Sequence, residues 1–448
     1  MITLKNINLS SIDLSGIDLR GIKLGLGGRG GGSSDGFPQL PGDVTRWHFG
    51  GLTNEMMAAM DDPRIEDADH KGRFLSFKNF AWKEGSGISD IYPGALVFDG
   101  VDDYGVCENF PIMTKEKGYT VVALRQWDQD FLNTTLTGGL LSTRNYSTGE
   151  GVAFEKIESS SKGYWNLGAG GIIDFAKSPF TWQTSKQYNN VGILKGDKNH
   201  GKPLCVGCGL SGGQQCGRFA IWELVFLDHD ATEEELTKIK DYFVKTYPWL
   251  FPDQAWTVVG KTNEDEDRAT IANITGNGNN LVLSNFGFIE GSGYNKEGEY
   301  AGYLVTDGVD DKITSSIFEM GNDWTVIGDW ELINTGKKDN AGIVKFDSIV
   351  IYNYNPILIN IKNGRNNLIP DQNTVNAICS DGRIYSKDWK ESIYNEETES
   401  TSKNLLTIGY SGNSYTKIAF KNLAIYPTVL SKEDCIKAYN YLQTLKAK

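Results

Sequence analysis

The first 24 residues carry a five-residue hydrophobic period, with Ile7, Ile12, Ile17 and Ile22 at one phase and Leu4, Leu9, Leu14, Leu19 and Leu24 at another. Within each copy the two apolar residues stand two apart, which puts both on one face of a short strand. A period of five fits neither a helix nor one long alternating strand, so the pattern predicts short strands broken by turns. About four copies are too few to bury their own stripe. The segment 1–24 is therefore expected to order against another surface or another copy of itself, rather than to be a tail with accidental periodicity. The pattern stops at Gly25. Six of the eight residues from Gly25 to Gly32 are glycine, and Pro38 and Pro41 follow, which reads as a flexible tether over 25–42. A phosphate loop would need a flanking strand, a helix and a Lys-Ser/Thr pair, none of which is present.

The rest of the chain is an internal duplication. Trp47 opens WHFGGLTNE and Trp256 opens WTVVGKTNE. Gly72–Ile88 matches Gly278–Tyr294, sharing Asn79/Asn285, Phe80/Phe286 and the phrase EGSG. LVFDGVDDY (96–104) matches LVTDGVDDK (304–312), and Trp222–Leu236 matches Lys421–Cys435. The offset drifts only from 209 to 199, so two units of nearly equal length are expected, 43–252 and 253–448. Segments such as YTVVALRQW and KIAFKNLAIY are rich in β-branched and aromatic residues and read as strands. Each unit ends differently, in a short amphipathic helix at about 232–246 and about 431–445. Thr232 with Glu235 forms a capping box ahead of Leu236, Ile239, Tyr242 and Phe243. Ser431 and Asp434 precede Cys435, Ala438, Tyr441 and Leu442 at the same spacing.

Composition narrows the partners. The 448 residues hold 44 Lys and Arg against 57 Asp and Glu, a net charge of −13, which argues against a nucleic-acid partner. No apolar run approaches the roughly 18–20 residues of a spanning helix, so no membrane insertion is expected. The N-terminus lacks the basic and apolar regions of a secretory signal. Six cysteines at irregular spacing do not make a disulfide scaffold for a chain of this size, so folding in a reducing compartment is expected.

The segment 1–24 resembles the pentapeptide-repeat pattern. The FDGVDDY phrase, the many short strands and the closing ATEEELTKIKDYF and LSKEDCIKAYNYL segments resemble the laminin-G-like, concanavalin A-like superfamily, twice over from about residue 43 to 448. The resemblance implies a mainly β fold: two tandem antiparallel jelly-roll sandwiches, each ending in a short helix. The glycine-rich tether, the NF-x(3)-EGSG phrase and the DGVDD phrase also resemble virion appendage proteins of phages infecting gut Bacteroidales. That resemblance implies a structural protein exposed on the particle: a fibre, appendage or decoration protein. It would be held to other virion proteins through residues 1–24, homo-oligomeric, a trimer by the fibre expectation, with adhesion to a surface glycan. The competing class, a bacterial surface carbohydrate-binding protein, would be expected to carry an export signal.

Four constellations carry candidate chemistry. Asp99, Asp102 and Asp103, with Asp307, Asp310 and Asp311, offer the clustered oxygens that calcium takes, or else form a tight turn in which carboxylates cap backbone N–H groups. Calcium is the only cofactor expected, if any. His200, Cys205, Cys208 and Cys216 spell a possible zinc set. The second unit carries Thr407 and Tyr410 at the places of Cys205 and Cys208, so the strand does not need the metal, and free buried thiols are expected. Glycoside hydrolases of the resembled fold carry E-x-D-x-x-E, which neither unit contains, and the acidic run Glu264–Asp267 falls in an expected loop. No enzyme is expected. Trp47, Trp256, Tyr119 and Trp324 recur in both units and are expected in the core. Trp127, Trp165, Trp182 and Trp389 have no duplicate, lie in polar or loop-like surroundings, and are the candidates for stacking on a sugar.

Overall fold

The computed structural model describes residues 36–111, 118–143, 203–210, 214–333, 375–393, 404–411 and 414–447, with strand backbones at 153–156, 162–166, 172–174, 185–187, 341–346, 349–353, 357–361 and 365–369. The assembly segment 1–24 and the tether as far as residue 35 lie outside the described residues.

Arg218–Leu227 is apolar on nearly every position and buried along almost its whole length, because both its faces are covered. It pairs antiparallel with Val44–His48, Ala95–Asp99 and Tyr119–Trp127. In the second half Ile418–Tyr426 takes the same place, pairing with Gln254–Thr257, Leu304–Val305 and Thr325–Leu332. Both ladders slip by one residue at the same point, so that Trp222 in the first half and Lys421 in the second are the extra residues of a bulge.

The facing sheet of the first half runs through Phe74–Lys78, Tyr104–Cys107, Leu204–Val206 and Gly138–Ser142. Its counterpart runs through Leu281–Ser284, Lys312–Phe318, Asn404–Ile408 and Ala341–Phe346. Each pair of sheets closes on its own core. Trp47, Phe77, Phe98, Trp127 and Phe219 fill the first, and Trp256, Ile313, Trp324 and Phe420 the second. Trp47 and Trp256 are fully buried and donate their indole N–H to the carbonyls of Arg73 (3.2 Å) and Asn279 (2.7 Å). The molecule is thus mainly β, as the residue pattern implies, and sandwich-like, as the resemblance implies.

The closing helices span Glu233–Thr246 and Lys432–Leu442. Thr232 and Glu235 form the reciprocal capping box, and Ser431 accepts from the Asp434 N–H. Their apolar faces form a third core on the outer sides of the two central sheets, and that core joins the two halves. It holds Trp222, Val225 and Phe243 of the first half with Ala255, Tyr385, Tyr426 and Tyr441 of the second. Tyr441 meets Trp222 edge-on at 5.9 Å and donates to Gln126, while Tyr426 donates to the Trp249 carbonyl at 3.0 Å. Phe37, from the 25–42 segment, is also buried here, with the Arg46 guanidinium 4.4 Å above its ring.

Candidate functional site

In both halves the DGVDD phrase joins equivalent strands and is built the same way. Asp99 Oδ1 accepts from the backbone N–H groups of Val101 (2.7 Å), Asp102 (3.2 Å) and Asp103 (3.4 Å). Asp307 Oδ1 does so for Val309 (2.7 Å), Asp310 (3.2 Å) and Asp311 (3.3 Å). Asp103 and Asp311 are fully buried and reach back to accept from the N–H of Asp99 (3.0 Å) and Asp307 (2.8 Å). The side chains of Asn79 and Asn285, both at positive φ (68° and 70°), donate to the carbonyls of Asp102 and Asp310. Ser86 Oγ donates to Asp103 at 3.0 Å, and Asn54 brackets Ile88 through its N–H and carbonyl as Asn263 brackets Tyr294. The shared phrases TNE, NF, EGSG and DGVDD therefore interlock into one clamp per half.

The three carboxylates of each cluster can bring one oxygen apiece within 4.8 Å of one another. One oxygen each of Asp99, Asp103, Asp307 and Asp311 already receives backbone N–H groups. Burial, reinforced by the neighbouring aspartates, pushes the Asp103 carboxyl up to about 7 and that of Asp311 to about 6. What the arrangement does chemically is hold a turn. A pH dependence follows. Each carboxyl binds its proton more tightly in the fold than in the unfolded chain, where the ordinary value is about 4. The stability from this pair is full below that value and is lost as pH rises through about 6 and about 7. Melting temperature is expected to fall between pH 5 and pH 8, and Asp103→Asn with Asp311→Asn to flatten the profile. An unchanged slope in the double variant would refute the assignment.

The cysteine constellation resolves differently from the expectation of free thiols. Cys208 and Cys216 are cross-strand partners in a short hairpin and are joined as a disulfide, which removes both as thiolate ligands for zinc. Cys205 is buried beside them, its thiol pushed up to about 12 by burial, and His200 lies outside the described residues. The equivalent hairpin of the second half places Tyr410 opposite Tyr415, with ring centroids 4.9 Å apart. One half locks this hairpin covalently and the other with two rings.

Of the four tryptophans proposed for sugar stacking, Trp127 is corrected. It ends a central strand at 2% exposure, stacked on Phe131 (5.9 Å) and packed against Phe219 (5.2 Å). The polar run after it is a short helix capped by Asp128, which folds Phe131 over the indole. Trp165 sits on the strand Lys162–Asn166, its side chain outside the described residues, as is Trp182 altogether. Trp389 is half-buried at φ 57°, in the turn after Arg383–Ser386, edge-on to Tyr439 at 5.6 Å. The acidic run Glu264–Asp267 is a turn, with Asp265 accepting from Thr262 N–H (2.9 Å) and hydroxyl (2.7 Å).

No family model and no curated protein sequence matches the chain. Among solved structures it is similar to Trypanosoma rangeli sialidase in complex with the inhibitor DANA, at 8% identity over 84% of this chain and 67% of that one, TM-score 0.31. It is also similar to the botulinum neurotoxin serotype D binding domain, at 12% identity over 82% of this chain and 94% of that one, TM-score 0.33. A third is the serotype D ligand binding domain in complex with N-acetylneuraminic acid, at 11% identity over 81% and 94%, TM-score 0.30. At these TM-scores the likeness carries no argument about function, and the mainly β architecture is read from the strands themselves.

Proposed function

We propose that this chain is a non-enzymatic structural protein of a phage virion, a fibre, appendage or decoration protein, that presents two lectin-like sandwiches for adhesion to a surface glycan. The observation that carries the reading is the shared third core, in which Trp222 of one half meets Tyr441 of the other. A chain built this way is a stiff display unit rather than two enzymes on a string. The DGVDD carboxylates hold turns, which supports a role without acid–base chemistry. Residues 1–24 then supply attachment: their Ile/Leu stripe needs a partner, and the tether after it makes that partner another copy or another virion protein.

The test is deletion of residues 1–24. The shortened chain is expected to be monomeric by light scattering and absent from purified particles. If it still oligomerises and still loads onto particles, attachment belongs to the sandwiches. If the full chain is found in the host cell-surface fraction instead, the bacterial carbohydrate-binding reading replaces this one.

A further inference from the structure

The same place on the two sandwiches has been put to different use. In the first half the bulge residue is Trp222, with Ala95, Val97 and Leu124 around it, and this apolar patch is covered by the second closing helix. Tyr92, in the loop just before, packs against Trp222 at 6.4 Å. In the second half the bulge residue is Lys421. The positions of Ala95, Leu124 and Tyr92 are held by Tyr303, Asp329 and Tyr300.

The second surface is therefore aromatic and polar where the first is apolar. Tyr300 and Tyr303 meet edge-on at 6.3 Å. Tyr303 donates its hydroxyl to Asp329 at 3.1 Å, and the Lys421 ammonium lies 5.6 Å above the Tyr303 ring and 3.7 Å from the same carboxylate. Tyr439 faces Asp329 from the helix and carries Trp389 edge-on at 5.6 Å. All four residues are half-buried, so each leaves part of its side chain exposed.

We propose that this face, framed by Tyr300, Tyr303, Asp329, Trp389, Lys421 and Tyr439, is a binding site for a neutral hexopyranose unit of a glycan. Partly exposed aromatic rings are the groups on which the apolar C–H side of a pyranose stacks. A carboxylate has lone pairs beyond those the tyrosines use, and the Lys421 ammonium, which donates to Gln443 at 2.9 Å and faces Asp329, keeps a third proton, so both sides of a sugar hydroxyl find partners. The charges pair off internally, Asp329 with Lys421 at 3.7 Å and Glu331 with Lys387 at 3.8 Å, which favours an uncharged sugar over a sialylated one. A second protein copy is disfavoured because the surface has exchanged the very residues that hold a helix in the first half. This inference rests on the glycan-adhesion reading and places its site.

The experiment is isothermal titration calorimetry of the full chain against cello-, manno- and galacto-oligosaccharides and against sialyllactose. Each sugar is recovered and weighed by mass spectrometry. A neutral oligosaccharide is expected to bind and return intact, and Trp389→Ala and, for a lightly packed ring, Tyr300→Ala are each expected to weaken it roughly tenfold or more. Binding that neither variant alters overturns this site while leaving the adhesion reading standing. No binding by any sugar overturns both, and preference for sialyllactose overturns the neutral assignment. A dimer in light scattering that Tyr300→Ala abolishes gives the face to a second copy and overturns the proposal.

Discussion

Replacing Glu223 with alanine is expected to cost about 3–5 kcal/mol of folding stability, because it strips the partner from a buried cation. Glu223 is fully buried, and its two oxygens are the hub of a network under the first closing helix. Oε2 accepts from the Arg46 guanidinium at 3.1 Å, and Oε1 accepts from the hydroxyls of Tyr242 and Tyr247, each at 2.9 Å. His48 Nδ1 lies 3.0 Å from the same oxygen. Burial, and then the Glu223 charge, keep the Tyr247 hydroxyl protonated far above its ordinary range, so it remains a donor. Arg46 is itself only 1% exposed. Without the carboxylate the guanidinium loses this counter-charge, and it does not release its proton. Removing both charges together, as Arg46→Met with Glu223→Leu, is expected to recover most of the loss. Urea unfolding followed by tryptophan fluorescence measures both. A single-variant loss below about 1 kcal/mol would mean that water reaches Arg46, and the buried-pair account would be wrong.

Trp222→Ala is expected to cost a comparable amount, about 3–5 kcal/mol, by opening a cavity in the core that joins the halves. The indole is 1% exposed, donates to the Pro93 carbonyl at 2.9 Å and is the surface on which Tyr441 lands. The cost should appear in both halves, because the second closing helix loses its seat on the first. Hydrogen exchange separates this from an ordinary core defect. Amides of 432–442 are expected to exchange faster along with those of 218–227, whereas a defect confined to the first half would leave the helix protected.

Much of this was legible in the chain. The helices were announced by side-chain caps and a four-position apolar stripe, both local signals, and the duplicated tryptophans were core because two copies of one fold need the same plug. The DGVDD turn could be read as a turn from Asp-Gly, but not as buried acids. Burial of Asp103 and Asp311 depends on Ser86 and its counterpart Ser292 arriving from elsewhere in the chain. Trp127 misled because its sequence neighbours are polar, and only the fold brings Phe131 and Phe219 over it. Cysteine count and spacing do not point to the disulfide; its local signal is the glycine-rich SGGQ between Cys208 and Cys216, the composition of a turn joining the two strands that set them opposite each other. In the Tyr300 and Tyr303 face only Trp389 is marked in the sequence as an unduplicated tryptophan, and the two tyrosines carry no such mark. The usable signal was the change from Ala95 to Tyr303 and from Trp222 to Lys421 at matched positions, and its meaning depends on knowing that one of the two faces is covered.

The claim on which the functional reading stands is that the two sandwiches share a core and behave as one unit. Differential scanning calorimetry of the unaltered chain tests it most directly. The account predicts a single cooperative transition whose van't Hoff and calorimetric enthalpies agree. Two separated transitions, one for each sandwich, would contradict it.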